Sequence, residues 1–104
     1  MDMKQMMRQA QKMQKQLNQA QEEIATLSYE ATAGGGMVKA VVAGDMSLKS
    51  LEIDPEAVDP EDVEMLQDMV LAAVNEALRG MAEVSEARLS AVTGGMNIPG
   101  MPGF

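Results

Sequence analysis

Four cationic side chains lie near the start of the chain and are its clearest candidates for chemistry. They follow one another at intervals of three or four residues: Lys4, Arg8, Lys12 and Lys15. Cations at this spacing can follow a line of phosphate groups along one side of a helix. They can equally form an ordinary solvated helix surface, which is the simpler interpretation from these residues alone.

The other groups that resemble functional motifs have structural explanations. Three consecutive glycines, residues 34–36, lack the Lys-Ser/Thr pair of a phosphate-binding loop and suit a tight turn. The methionines, twelve in all, could bind copper(I), but several fall at packing positions of a helix. The carboxylates of residues 59–64 lack the spacing and central glycine of a calcium loop, and they suit the start of a helix.

Composition argues against several classes of protein. The chain has no cysteine and no histidine, so we expect no disulfide, no metal site and a reducing cytoplasm. Every carboxylate lies in a polar run, which is unsuitable for general acid or base catalysis. We therefore expect no enzyme, no cofactor and no small-molecule substrate. No segment resembles a signal peptide, and the longest apolar run, residues 69–74, is too short to span a membrane.

The formal net charge of −8 is unevenly distributed. Residues 1–21 carry a balance of +3, whereas residues 51–104 carry a balance of −9. A partner responds to the local field within a Debye length of about 8 Å, so the acidic total does not exclude a polyanionic partner.

The first 27 residues predict one long helix, over residues 2–27. They are rich in good helix formers. Apolar side chains alternate at intervals of three and four and form a heptad seam: Met3, Met6, Ala10, Met13, Leu17, Ala20, Ile24 and Leu27. The four cations fall on the outer face, away from this seam.

Residues 28–53 predict a three-stranded antiparallel meander, with strands at 28–33, 37–43 and 46–53. The glycines at 34–36 supply the first reversal, and Gly44-Asp45 suits a two-residue primed hairpin turn. The apolar phase of the last strand shifts by one residue after Leu48, which predicts a bulge near Lys49-Ser50.

A second long helix is predicted from Asp59-Pro60 to about residue 92. Asp59 can cap this helix and Pro60 suits its first position, while Gly80 allows close approach or a bend. Residues 1–93 then form a single domain, and the Gly-, Pro- and Met-rich residues 94–104 are predicted to be a flexible tail.

The helix lengths indicate a dimer. Helices of 25 and 33 residues are about 38 and 50 Å long, whereas a compact chain of this size has a radius of gyration of about 13 Å. The helices must project, and a second copy of the chain is the simplest cover for their apolar seams. The side chains predicted to form the dimer interface are Met6, Met13, Leu17, Ile24, Val38 and Val42.

The whole pattern resembles the YbaB/EbfC family of small bacterial nucleoid-associated proteins. The most specific matches, in order, are Gly34-Gly35-Gly36, Val38-Lys39, Gly44 and Ile53-Asp54-Pro55. The resemblance implies an α+β fold in a tweezer-like homodimer, with a sheet body and projecting helices that bind double-stranded DNA and alter its conformation. It also implies a place in nucleoid organisation and gene expression in the cytoplasm.

With this resemblance, the phosphate-contacting interpretation of Lys4, Arg8, Lys12 and Lys15 becomes the preferred one. We expect a DNA-binding homodimer with little sequence specificity. The alternative is a protein-binding adaptor or holdase whose Met-rich helical arms grip apolar segments.

Overall fold

A computed structural model describes residues 2–93, which form a helix, a three-stranded sheet and a second long helix in that order. The predicted α+β fold is confirmed. The predicted flexible tail, residues 94–104, lies outside the described residues.

The first helix, α1, spans Met3–Ala25, slightly shorter than predicted. The Asp2 carboxylate caps it by accepting a hydrogen bond of 3.0 Å from the backbone N–H of Gln5. At the other end, the backbone N–H of Thr26 donates to the carbonyl oxygen of Glu23. The chain then enters the sheet after only two further residues, which fixes the end of α1 beside the first strand.

The sheet contains β1 (Ser28–Ala33), β2 (Val38–Ala43) and β3 (Leu48–Ile53), in the order β1-β2-β3. Both pairs are antiparallel, as predicted. Val41 pairs with Ser50, whereas the next residue, Val42, pairs with Leu48, so Lys49 is the extra residue of a bulge. The predicted bulge is confirmed.

The two turns differ from each other. Gly34, Gly35 and Gly36 all have positive φ, which explains the glycine run. The second turn was predicted as a two-residue primed turn, and that prediction is wrong. The one positive φ in this turn, 67°, belongs to Met46. Two hydrogen bonds close a three-residue loop: the N–H of Met46 donates to the carbonyl oxygen of Ala43, and the N–H of Ala43 donates to the carbonyl oxygen of Ser47.

The second helix, α2, spans Val63–Thr93 and begins later than predicted. Asp62 is the residue that caps it, by accepting a hydrogen bond of 3.2 Å from the N–H of Met65. The predicted cap, Asp59, instead holds a turn by accepting from the N–H of Glu61. Pro60 therefore lies in that turn rather than at the first helical position, because the chain completes two short turns before α2 starts.

The core lies between one face of the sheet and α2. Alternate residues of β2 point towards the helix, and Val38, Ala40 and Val42 have no exposed surface. Small residues on α2, such as Ala73 and Ala77, let its backbone approach the sheet, and Gly80 leaves no room for a side chain beside the Tyr29 ring. The predicted close approach at Gly80 is confirmed.

The core face of the sheet is only partly covered. Leu48, Leu51 and Ile53 pair with Val42, Ala40 and Val38, so they lie on the same face as these core residues. They are nevertheless 46%, 39% and 38% exposed, because α2 packs across β1 and β2. We call these three side chains of β3 the β3 face.

Candidate nucleic-acid interface

The four candidate cations lie on one side of α1 and all are exposed. At about 100° of rotation per residue, Lys4, Arg8, Lys12 and Lys15 fall within an arc of about 80°, over about 16 Å of helix. The apolar seam faces the opposite side of the helix. We call residues 3–15 the N-terminal arm.

The arm cations have no partners among the residues that the structure describes, since none of them forms an ion pair there. By contrast, the Nζ atom of Lys39 lies 3.9 Å from a carboxylate oxygen of Glu30 and 3.8 Å from one of Glu52. Among the other cations of residues 2–93, only Lys49 also has no ion-pair partner.

The two arginines of α2 are also neutralised. Arg88 lies 3.5 Å from Glu23 and joins α2 to α1. Arg79 pairs with Glu76 and Glu83 on its own helix, and its guanidinium group holds the pKa of the Glu76 carboxyl below the usual value. The free positive charge of the described chain is therefore concentrated in the arm.

The arm projects beyond the rest of the described chain. The two helices run antiparallel, and the end of α2 meets only the second half of α1, where Gln16, Ala20, Arg88 and Val92 line one cleft. The described chain is correspondingly elongated, with principal extents of 71 × 26 × 15 Å. Nothing in residues 2–93 therefore blocks a large ligand from the cationic side of the arm.

The opposite end of the molecule is acidic. Residues 54–68 contain no Lys or Arg and seven acids: Asp54, Glu56, Asp59, Glu61, Asp62, Glu64 and Asp68. Three of these carboxylates, those of Asp54, Asp59 and Asp62, accept backbone hydrogen bonds at turns or at the start of α2. We call residues 54–68 the acidic end.

The structure separates the six residues predicted for the dimer interface into two groups. Ile24, Val38 and Val42 belong to the core of the single chain, where their exposed fractions are 6%, 0% and 0%. A second copy has almost no surface of these three side chains to cover. Met6 is 55% exposed, and the other two seam residues, Met13 and Leu17, are half-buried.

Sequence reasoning missed the β3 face. The shift in apolar phase that predicted the bulge brought Leu51 and Ile53 into step with Leu48, but it did not show that α2 leaves these residues uncovered. Exposed apolar side chains continue past the strand at Val58 and Val63.

Other kinds of site find little support in the described residues. No group of three or more Asp or Glu side chains within residues 2–93 is arranged to hold a metal ion. Among the helices of the same residues, none combines the length and the apolar character needed to cross a membrane.

Comparison with known families defines the class of protein. Residues 1–96 match the YbaB/EbfC DNA-binding family, and the chain belongs to that family. The resemblance seen in the sequence is confirmed.

Individual relatives agree with this assignment. The chain is 53% identical to a nucleoid-associated protein of Thermoanaerobacter pseudethanolicus, over 92% of this chain and 86% of that protein. It is 48% identical to a nucleoid-associated protein of Nocardia farcinica, over 99% and 94%. The crystal structure of an uncharacterised protein from Helicobacter pylori has the same fold, with a TM-score of 0.78 and 26% identity over 90% of this chain and 99% of that one.

Proposed function

We propose that this chain binds double-stranded DNA as a homodimer with little sequence preference, and that it changes the conformation of the DNA in the bacterial nucleoid. In this role it contributes to nucleoid organisation and gene expression in the cytoplasm. The observation that carries the proposal is the set of exposed, unpaired cations on one side of the projecting arm. Membership of a DNA-binding family supports the choice of ligand.

The chemistry of the arm favours phosphate contacts over base recognition. Three of its four cations are lysines, which act as point charges, whereas specific recognition of a base edge commonly uses the bidentate geometry of arginine. Tyr29, the one aromatic residue among residues 2–93, is partly buried against α2 and is not placed to stack on bases.

The acidic end does not prevent DNA from reaching the arm. A helix of 31 residues rises about 46 Å, and the start of α2 lies at least that far from the arm. This distance is several times the Debye length of about 8 Å at physiological ionic strength. A phosphate beside the arm therefore experiences the arm's own positive field.

The β3 face supports the dimer. Its three side chains form an exposed apolar patch on one face of the sheet, and such patches mark sites of contact between proteins. Two copies related by a twofold axis would each cover the other's β3 face. Met6, Met13 and Leu17 of the seam extend the proposed interface along α1, and each dimer would then present two cationic arms.

A matched pair of variants on β3 tests the dimer. Leu51→Lys places a charge on the β3 face, whereas Ser50→Lys places the same charge on the neighbouring residue, which points to the other side of the sheet. Sedimentation equilibrium should show a dimer for the parent and for Ser50→Lys, and a monomer for Leu51→Lys. A dimeric Leu51→Lys variant would show that the interface lies elsewhere.

A second candidate function follows from the exposed methionines of the arm. Met3, Met6 and Met7 are 79%, 55% and 60% exposed, and flexible thioether surfaces suit varied apolar partners. A holdase or adaptor that uses them would bind through apolar contact, and its binding would persist at high salt. DNA binding through four cations would weaken steeply with salt.

Titration of a DNA duplex at a series of salt concentrations separates the two candidates. Four cations per arm and two arms limit the slope of log K against log salt to about −7 at 0.9 per phosphate, and we expect about −2 to −4 because both arms need not be fully engaged. Arg8→Gln/Lys12→Gln/Lys15→Gln should abolish measurable binding on every duplex, while glutamine preserves the helix.

The matched control removes the same charge from outside the arm. Lys49→Gln/Arg79→Gln/Arg88→Gln should bind DNA nearly as well as the parent and with the same salt slope, because exposed ion pairs such as those of Arg79 contribute little to stability. Equal losses in the two variants would indicate a response to net charge alone. Binding by the arm variant at the parent's level would overturn the proposal.

A further inference from the structure

The two ends of the described chain are complementary in charge and in apolar surface. At about 100° per residue, the side chains of Met3, Met7, Lys4 and Arg8 occupy one continuous arc of about 140° at the tip of the arm. Met3 and Met7 are 79% and 60% exposed, and the two cations beside them have no ion-pair partner within residues 2–93.

The acidic end carries the counterpart of this surface. Val58, Val63 and Met65 are 51%, 50% and 50% exposed, although each is a large apolar side chain. The acids that surround them have no basic neighbour in residues 54–68. Asp54, Asp59 and Asp62 accept backbone hydrogen bonds, which explain their presence. Within residues 2–93, the carboxylates of Glu61 and Glu64 form no hydrogen bond or ion pair that would explain theirs.

The two surfaces cannot meet within one chain. The arm extends beyond the end of α2, while the acidic end lies at the start of α2, about 46 Å of helix away. The longest extent of the described chain is 71 Å, and both helices are continuous. An arm can therefore reach an acidic end only on another molecule.

We propose that the tip of the arm of one copy docks on the acidic end of another, with Met3 and Met7 against Val58 and Val63 and with Lys4 and Arg8 facing the carboxylates. This contact joins different surfaces of the two copies, so it is not limited to a closed pair and can link dimers into longer assemblies. It is distinct from the symmetric contact of two β3 faces. It uses cations that the proposed function gives to DNA, and the two polyanions therefore compete for the arm.

The competition has a defined consequence. Without DNA at low salt, arms occupy acidic ends and dimers associate; with DNA, phosphates occupy the same cations and release the acidic ends. Removing charge from the acidic end should therefore weaken assembly while it strengthens DNA binding. Removing charge from the tip of the arm should weaken both.

Charge reversal at each end tests the proposal by sedimentation velocity at about 50 and 200 mM salt, a range over which phosphate and carboxylate contacts weaken strongly. The parent should form species larger than the dimer at the lower salt and return to the dimer at the higher. Lys4→Glu/Arg8→Glu and Glu61→Lys/Glu64→Lys should each remain dimeric at both. Asp59 and Asp62 are unchanged, so the start of α2 keeps its hydrogen bonds.

Mixing the two reversed variants restores complementarity, because a negative arm then meets a positive end, and the larger species should return. Glu22→Lys/Glu86→Lys is the matched control, since it reverses two exposed acids outside both surfaces, and it should assemble as the parent does. The proposal is overturned if the parent never exceeds the dimer at low salt, if Glu61→Lys/Glu64→Lys assembles normally, or if the mixture stays dimeric.

A DNA titration of the same variants separates this inference from the proposed function. Glu61→Lys/Glu64→Lys should bind a short duplex at least as tightly as the parent, because its arm is intact. Loss of assembly with retained DNA binding supports both proposals. If the parent assembles as expected but does not bind DNA, the arm binds only another copy of the chain. That result would refute the proposed function without refuting this contact.

Discussion

The two halves of the α1 seam share one pattern but have opposite surroundings. Ala20 and Ile24, in the second half, are each 6% exposed against the body of the chain. Met3 and Met6, in the first half, are 79% and 55% exposed. The spacing of apolar residues along a helix thus shows which way a side chain points, whereas the neighbouring elements decide whether anything covers it. The body completes its own core, and the arm keeps its surface for other molecules.

The charges divide in the same way. In the body, Lys39, Arg79 and Arg88 each lie beside one or two carboxylates. The four cations of the arm lie beside none within residues 2–93. Most cations of the body are therefore neutralised by neighbouring carboxylates, whereas the four cations of the arm are not.

Matched methionine truncations in the two regions should give the largest difference. Met81 is fully buried, so Met81→Ala should lower the free energy of unfolding by about 2–5 kcal/mol. Met3→Ala should change it by no more than about 0.5 kcal/mol, because the side chain is 79% exposed and lies outside the proposed dimer interface. Urea unfolding at one fixed protein concentration and about 200 mM salt, where the contact between arm and acidic end is broken, measures both. A cost of several kcal/mol for Met3→Ala would mean that the tip of the arm is covered in solution.

The junction between α1 and the sheet depends on Gly44, which lies against the backbone of Ile24 and donates its N–H to the carbonyl oxygen of Leu27 at 3.0 Å. A β-carbon at this position would overlap the Ile24 carbonyl oxygen, so Gly44→Ala should cost about 1–3 kcal/mol. Hydrogen exchange should also speed up across α1. Gly35→Ala is the control: its left-handed backbone is strained by a side chain, but the space is open, so exchange in α1 should stay unchanged.

The start of α2 provides a smaller effect. Asp62→Ala removes the capping carboxylate and should cost about 1 kcal/mol, within the usual range for such caps. Asp59→Ala removes only a turn contact and should cost less. Thermal unfolding of the two variants ranks their losses of stability. A larger loss for Asp59→Ala than for Asp62→Ala would indicate that α2 begins at Asp59, as the sequence predicted.

The smallest effect concerns the ion pairs on the surface of α2. Hydrogen bonds from Arg79 lower the pKa of the Glu76 carboxyl from its ordinary value of 4.5. A depressed pKa means that the ionised form favours folding, so this contribution is present above the ordinary pKa and is lost as pH falls through the folded value. Titration of the Glu76 carboxyl by NMR should show its pKa rising in Arg79→Gln. An unchanged pKa would mean that the pair does not form in solution.

Local signals in the sequence were sufficient for the elements and their order. The three-four spacing of α1, the glycine run and the phase shift at Lys49 each depend on residues close together in the chain. The errors occurred where two local signals compete. Asp59-Pro60 and Asp62 both suit a helix start, and the choice between them depends on how the chain leaves β3.

Burial of the candidate interface could not be predicted in the same way. Val38 and Val42 look like sheet residues that any helix could cover, and only the path of α2 across β1 and β2 places them in the core and leaves Leu51 exposed. The cations were recognisable from their spacing. That they lack ion-pair partners within residues 2–93 depends on the whole fold, because the fold decides which acids approach each cation. Glu23, for example, pairs with Arg88 of α2, which is far from it in sequence.

Lysine acetylation of the unmodified protein, with and without a DNA duplex, tests most directly whether the arm is the DNA surface. The chain carries lysines in both regions, so each experiment contains its own control. DNA should protect Lys4, Lys12 and Lys15 from acetylation and leave Lys39 and Lys49 unchanged, and added salt should remove the protection. Protection of Lys39 and Lys49, with the arm lysines still reactive, would contradict the assignment and place the DNA on the sheet.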